Sequence, residues 1–387
     1  MKILQLSTGH LGGAGLAARR LNNSLNEAGI ESIFVALDNP SFFPGENEIS
    51  VTRNWFKRAL GGFLAWSQRL FSEKTLFTPF SINSISLKYM LELAKPSETI
   101  IHIHNFQNLV SEASIKTYSD AGYRVILTLH DQRYFTGGCH YSFDCQQYES
   151  GCKKCPLISN FASIIPHWKL AGSPLAKIHP DKLDVIAPSK WIIARADQSQ
   201  VLKRFQKHHI ENLLGSDWLS SSKSIDRTPV VGMRVGIASM DPLSFIKGGD
   251  IIQKILHSPS SANFEFLYLT DFSKKGRSTE FWAQIDCLWV PSRADNSPNV
   301  ILEAKSLRIP IIASDVGGIP ELLDETDVCI PIEMMNSDNI ISSLRKFQNQ
   351  GLTKVDVRHD SAETARRESE TLSKFLSVYH DVFSRKI

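Results

Sequence analysis

Residues 287–323, CLWVPSRADNSPNVILEAKSLRIPIIASDVGGIPELL, constrain the fold most, because they spell a strand, a polar loop, a helix, a second strand and a Gly-Gly turn. That is one βαβ unit, the building block of a parallel sheet. Leu288-Trp289-Val290 is a short apolar run ended by Pro291, and Ser297-Pro298 predicts an N-cap followed by proline at the first helical position. The free amides of that helix, from Asn299 and Val300 onward, point back into the loop with the positive end of the helix dipole, an arrangement suited to a phosphate. Asp295 sits in the loop and Glu303 in the second turn, so one carboxylate can reach a sugar ring and the other a ribose.

A second glycine loop lies near the start. Strand-like Ile3 to Leu6 leads to Gly12-Gly13-Ala14-Gly15, after which Leu16, Ala17, Leu21 and Leu25 keep helical spacing. Such a loop lets backbone amides approach a phosphate or sugar where any Cβ would be in the way. Gly13-x-Gly15-x-x-Ala18 with Asp38 after the next strand also partly fits a nicotinamide-dinucleotide fingerprint. The second phosphate-binding unit at 287–323, which a dehydrogenase would not need, argues against that rival, and a structural turn is preferred to it.

Ile100 to Asn105 and Val125 to Asp131 read as buried parallel strands ending in polar residues, where ligands of such sheets bind. His130 is thus a candidate site residue, with Asp131 beside it. His102 and His104 read as satisfied core histidines. Residues 54–71 place Trp55, Phe63, Leu64, Trp66, Leu70 and Phe71 beside Lys57, Arg58 and Arg69, a pattern that fits a membrane-touching helix or one packed on its own domain. The packed reading is preferred, since Gly61-Gly62 weakens an isolated interfacial helix.

Cys139, Cys145, Cys152 and Cys155 fall within 17 residues. Only Cys152-x-x-Cys155 has tight zinc-knuckle spacing, so a structural zinc, a redox-sensitive pair and plain thiols all stand open. Catalytic zinc is not expected.

With 387 residues, 42% hydrophobic and 21% charged, the chain is long enough for two domains with real cores. A net charge of +3 with scattered basic residues implies no nucleic-acid partner. No apolar run approaches membrane-spanning length, and the first residues read as a strand instead of a signal peptide, so a cytoplasmic protein is expected, with room for peripheral contact at the inner membrane face. Residues 213–229 read as the linker, Val235 to Ala238 as the first strand of the second domain, and 361–385 as an amphipathic terminal helix with Leu372, Phe375, Leu376, Tyr379, Val382 and Phe383 at helical spacing.

The 287–323 stretch closely resembles the donor-binding signature of the retaining glycosyltransferases of family 4, which carries two glutamates eight positions apart where this chain has Asp295 and Glu303. Ile246 to Asp250 resembles that family's Lys-Gly motif, and Phe135 to Tyr141 with the later cysteines is similar to a run in bacterial members that build exopolysaccharide and O-antigen. The resemblance spans nearly the whole chain. It implies an α/β GT-B fold, two Rossmann-like domains facing a cleft, at 1–215 plus a returning helix at 366–387 and at 225–365. The implied function is transfer of a hexose from a nucleotide-diphosphate sugar to a hydroxyl of a growing cell-surface glycan, free or lipid-linked. His130 and Asp295 would orient the sugar, Lys247 would hold the diphosphate as a point charge, Glu303 would hold the ribose, and Gly317-Gly318 would let amides approach. Gly12, Gly13 and Gly15 are assigned to the donor or acceptor side, and no metal is needed for the chemistry.

Three departures stand out. Asp295 replaces a glutamate, the arginine that usually precedes the lysine is missing from Asp241 to Phe245, and the segment from Phe264 to Asp286 is shorter by about one strand and one helix. Arg308 also stands where the family usually ends its helix on glycine. The first three motivate an alternative, a non-catalytic binding or assembly subunit of a sugar pathway.

Overall fold

The computed structural model describes residues 1–39, 42–69, 76–158, 163–223, 225, 232–274, 277–349 and 361–385. The chain forms two compact units, Met1–Leu213 with Glu370–Ile387, and Leu214–Ser369.

In the first unit, β1 (Lys2–Ser7), β2 (Ser32–Leu37), β3 (Glu48–Val51), β4 (Thr99–Ile103), β5 (Arg124–Thr128), β6 (Leu183–Ala187) and β7 (Gln206–His209) form a parallel sheet in the order β3-β2-β1-β4-β5-β6-β7. The near-continuous apolar runs of β4, β5 and β6 suit strands buried on both faces. Helix α1 (Gly12–Glu27) follows β1, and α2 (Trp55–Arg69) follows β3. Period-two alternation sends Leu4, Ile101, Val125 and Val185 to one core. Ile3, Ile100, Ile126 and Ile186 pack on the other face against Leu21, Leu25, Phe375, Val378, Tyr379 and Val382. Strand order reverses between β1 and β4, where Thr8 N–H donates to Asn105 O at 3.0 Å. Loops at such a reversal are where ligands of open α/β sheets bind.

The terminal helix, here α3 (Ser361–Ser384), is the source of Phe375 to Val382 on that face. Just beyond it, Arg385 forks onto Asp184 of β6, Nη1 to Oδ1 at 2.5 Å and Nη2 to Oδ2 at 2.9 Å. This is the strong bidentate pairing that arginine makes with a carboxylate.

The aromatic residues of α2 take the opposite arrangement from the one preferred on sequence grounds. Gly61 is buried, with Asn108 and Ile82 close to where a Cβ would stand, whereas Trp55, Phe63 and Trp66 on the far side are 79%, 59% and 58% exposed. Glycine's missing side chain brings the helix close to the domain on the Gly61 side, so the ring-bearing side is the one left over. Leu70 and Phe71 lie outside the described residues.

In the second unit, β8 (Met233–Ile237), β9 (Phe264–Tyr268), β10 (Cys287–Val290), β11 (Ile311–Ser314) and β12 (Val328–Ile330) form a parallel sheet in the order β12-β11-β10-β8-β9. Two helices, α4 (Gly249–Leu256) and α5 (Asn299–Ser306), position the candidate site. Among the described residues two short helices, 269–273 and 278–284, join β9 to β10. The stretch read as a linker contains a helix, Gly215–Ser222, whose Trp218 donates from Nε1 to Ser306 Oγ at 2.8 Å. The indole made this segment part of the second core.

Candidate functional site

Three loops follow the carboxyl ends of the neighbouring strands β8, β10 and β11, and glycine lets them close on one another. Arg293 N–H donates to Ile246 O at 2.7 Å, which ties the Lys247 loop to the Asp295 loop. Gly248 has φ +76°, and a Cβ there would stand 2.1 Å from Pro291 O. At Gly317, φ is +62° and a Cβ would stand 1.7 Å from Asp295 O. Gly318 N–H donates to that same oxygen at 3.3 Å. No side chain fits at Gly317.

These contacts bring the buried Asp295 carboxylate to Lys247, with Nζ 2.6 Å from Oδ2. Its other oxygen accepts from Asn296 N–H at 2.9 Å. Helix α5 begins one residue later than its sequence predicts, with Pro298 at the N-cap in an extended conformation and Asn299 first in the helix. Proline's fixed φ serves either position, and its ψ of 119° keeps it outside. Asn299 and Glu303 are buried and Val300 is half-buried. At the other end Arg308 adopts φ +53°, with Ile309 N–H on Ala304 O at 3.0 Å, so the turn usually made by glycine forms around arginine.

Arg293 was not singled out by its sequence position. Its guanidinium lies 4.8 Å from the Phe245 ring and holds both oxygens of Asp250, whose carboxyl it keeps below the ordinary range. It stands two residues before Asp295, a cation beside the Lys247 loop where the 241–245 segment has none. Only its spacing from Asp295 could have signalled this.

In the first unit, helix α1 begins at Gly12, earlier than the run of apolar spacing indicates. The three glycines there differ. Gly12 (φ +78°) and Gly13 have nothing within 4 Å of an added Cβ, whereas one at Gly15 would stand 2.3 Å from Gly9 O. Gly15 therefore packs the helix against the loop, and Gly12 and Gly13 border open space. Asp38, the ribose carboxylate of a dinucleotide reading, is paired with Arg58 at 2.8 Å.

His130 follows β5, and its Nε2 is 3.0 Å from His104 Nδ1. Adjacency to Asp131 suggested a His-Asp pair, but Asp131 turns to other partners: Oδ2 lies 2.7 Å from His140 Nδ1 and Oδ1 accepts from Arg133 N–H at 2.9 Å. Consecutive residues leave a strand end in opposite directions, so neighbours in sequence need not meet. Burial alone would raise the Asp131 carboxyl, and His140 with Arg133 outweighs it and holds it low.

All four clustered cysteines are free thiols lining one small cavity with Phe77, Gly137 and Pro166. Burial pushes the Cys139 thiol up to about 12 and Cys152 up to about 11. Burial raises the Cys155 thiol too, with the backbone of Leu157 and Ile158 pulling the other way, as that of Gly137 does at Cys152. Among the described residues no three His, Cys, Asp or Glu side chains are already disposed as metal ligands. Four cysteines are the kind of donor set that a structural zinc takes. No helix among the described residues is long and apolar enough to cross a membrane.

Residues 252–347, which include Asp295, Glu303 and Gly317, match the family described as Glycosyl transferases group 1. Over 119 residues the chain is 26% identical to the O-antigen biosynthesis glycosyltransferase WclY of Escherichia coli, a match covering 31% of this chain and 33% of that protein, so it spans about a third of this curated relative. Among solved structures, Anabaena Alr3699/HepE in complex with UDP and glucose is similar over 100% of both chains at 14% identity and a TM-score of 0.58. Sucrose-phosphate synthase from Thermosynechococcus elongatus is similar over 99% of both chains at 13% identity and a TM-score of 0.59. Residues 252–347 thus match the pattern of the glycosyl transferases group 1 family, and the chain shares with these solved structures a fold of two parallel-sheet, Rossmann-like domains.

Proposed function

We propose that the chain is a retaining glycosyltransferase that moves a hexose from a nucleotide-diphosphate sugar to a hydroxyl of a growing cell-surface glycan. The observation that carries this reading is the Lys247–Asp295 pair, held by Gly248 and Gly317 beside the N-termini of α4 and α5 with Glu303 buried one turn further on. An ammonium and helix amides fixed in advance can stabilise a departing diphosphate. Asp295 would accept from sugar hydroxyls, Glu303 would take the ribose, and His130 of the first domain would contact the sugar. HepE, which shares the fold, was solved with UDP and glucose, and WclY is named for O-antigen biosynthesis.

Two further parts belong to this proposal. The outward rings of α2 would rest on a membrane that carries a lipid-linked acceptor, as amphipathic aromatic side chains do at bilayer interfaces. Cys139, Cys145, Cys152 and Cys155 would hold a structural zinc that ties the 139–155 segment together.

The test is calorimetric titration with UDP, GDP and their common sugars, repeated with Glu303→Ala. Saturable binding to one nucleotide, lost in the variant, supports the donor site; no binding at millimolar concentration overturns it. One observation favours a second reading, a subunit that binds without turnover: Asp295 and Lys247 already satisfy each other. Tight donor binding with no transfer to any of a panel of glycan acceptors would select it.

A further inference from the structure

The sheet face beneath α3 changes character along its strands. Ile3, Ile100 and Ile126 are followed two residues later by Gln5, His102 and Thr128, and two later again, just past the ends of the second and third strands, by His104 and His130. Alternation keeps each series on one face. Gln5, His102, His104, Thr128 and Tyr379 are all buried, and only His130, at the end, is partly exposed.

These six side chains form one unbroken series of hydrogen bonds. His130 Nε2 is 3.0 Å from His104 Nδ1, and His104 Nε2 is 2.8 Å from Gln5 Oε1. Gln5 Nε2 donates to Tyr379 Oη at 3.1 Å, Tyr379 Oη is 2.7 Å from His102 Nδ1, and His102 Nε2 is 2.6 Å from Thr128 Oγ1. Each gap holds one proton, and the amide fixes the sense of its own two bonds and of the His104–His130 bond; the other two are ordered because the buried Tyr379 hydrogen is satisfied by His102 Nδ1. Gln5 Oε1 can only accept, so His104 carries its proton on Nε2 and its Nδ1 must accept from His130 Nε2–H. On the other side, the Gln5 amide donates to Tyr379, whose O–H then points at His102 Nδ1, and His102 Nε2–H donates to Thr128.

We propose that Gln5, Tyr379, His102 and His104 are positioning residues that hold His130 neutral with its proton on Nε2, so that Nδ1 is an acceptor and takes a hydroxyl instead of an anionic phosphate oxygen. The role of His130 toward a sugar rests on the function proposed above; the proton order does not. Any group meeting Nδ1 must donate a hydrogen, which a sugar hydroxyl can do and an ionised phosphate cannot. Burial supports the neutral state: it holds His130 down to about 4 and His102 to about 3, and His104 lies well below its ordinary value. Asp131, close to His130 in the chain, pulls the other way and is outweighed.

The deciding experiment is long-range proton–nitrogen NMR of the full chain labelled in its histidine rings, assigned with His130→Asn and His104→Asn. At pH 7 the expected result is a protonated Nε2 and bare Nδ1 on all three rings, with no titration of His130 down to pH 5. Tyr379→Phe keeps the packing but removes the partner that holds the Gln5 amide in this orientation, and it should leave His130 as a mixture of tautomers; Gln5→Leu, which removes the accepting oxygen itself, should do the same and serves if that variant fails to fold. A protonated Nδ1 on His130, a His130 cation at pH 7, or an unchanged His130 spectrum in the folded Tyr379→Phe variant overturns the proposal. If the proton order is found but His130→Ala binds the nucleotide sugar as well as wild type, the sugar contact fails and the ordered chain stands.

Discussion

Lys247 and Asp295, 48 positions apart, meet at 2.6 Å as the ammonium and carboxylate of one ion pair. A diphosphate arriving there competes with Asp295 for Lys247. Lys247→Ala should weaken nucleotide-sugar binding at least about tenfold, the scale of one charge-assisted hydrogen bond. Asp295→Asn should leave UDP or GDP bound as tightly or more tightly, while the added affinity from the sugar disappears. Calorimetry on nucleotide and nucleotide sugar in parallel reads both; equal losses for the two ligands in Asp295→Asn would refute the division of roles.

Gly317 and Gly13 should respond oppositely to alanine. At Gly317 the new Cβ meets the Asp295 carbonyl in a left-handed backbone, so Gly317→Ala should lower stability by about 2 kcal/mol or more and abolish donor binding. Gly13→Ala, with open space around it, should change stability by less than about 1 kcal/mol. Urea denaturation of both variants checks this.

Acid should unfold the first domain early. His102 and His130 are held to about 3 and about 4 in the folded chain, against 6.5 for the free ring. The unfolded chain therefore binds more protons below pH 6.5. Stability is complete above that pH and falls as pH drops toward 4, by up to about 1.4 kcal/mol per unit for each ring. Tyr379 faces His102 as a neutral phenol, and Asp131, also held low, acts in the same direction at lower pH. Urea midpoints at pH 7.5, 6 and 5 give the slope, and a flat profile would contradict it.

If the four thiols hold zinc, protein purified without chelator should carry about one atom per chain, and a strong chelator should lower the Tm. Elemental analysis decides: metal-free protein with an unchanged melting curve removes the zinc.

Trp55, Phe63 and Trp66 are tested together by replacing each with serine. Because they are exposed, the triple variant should fold normally, within about 0.5 kcal/mol for each site. Wild type should float with anionic vesicles and the variant should not, with nucleotide affinity equal in both.

The sequence shows what local patterns can show. The βαβ unit at 287–323 and the buried strands of the first sheet follow from apolar runs and punctuation. The direction α2 faces does not, since helical spacing says only that Trp55, Phe63 and Trp66 share a side, and the packing at Gly61 decides which side turns inward. The partners of His130 and Asp131 were hidden for another reason: His104 and His140 are brought to them by strand pairing and a loop return. Gly15 and Gly317 read as ligand-facing, and the structure gives each a backbone oxygen to clear first. Arg308 shows that a turn usually made with glycine can be imposed by the helix before it and the strand after it.

Tyr379 also sets an order of events during synthesis. The hydroxyl at the centre of the first domain's polar chain, and the rings of Phe375 and Tyr379 that cover Ile3, Ile100 and Ile126, are added only after the whole second domain. The first domain thus leaves the ribosome with one sheet face bare and Gln5 and His102 lacking their shared partner. It must wait in that state while the whole second domain is made. A nascent chain held at residue 213 should accordingly remain sensitive to protease and bound by chaperones, and should become resistant only once residues 370–385 have cleared the exit tunnel.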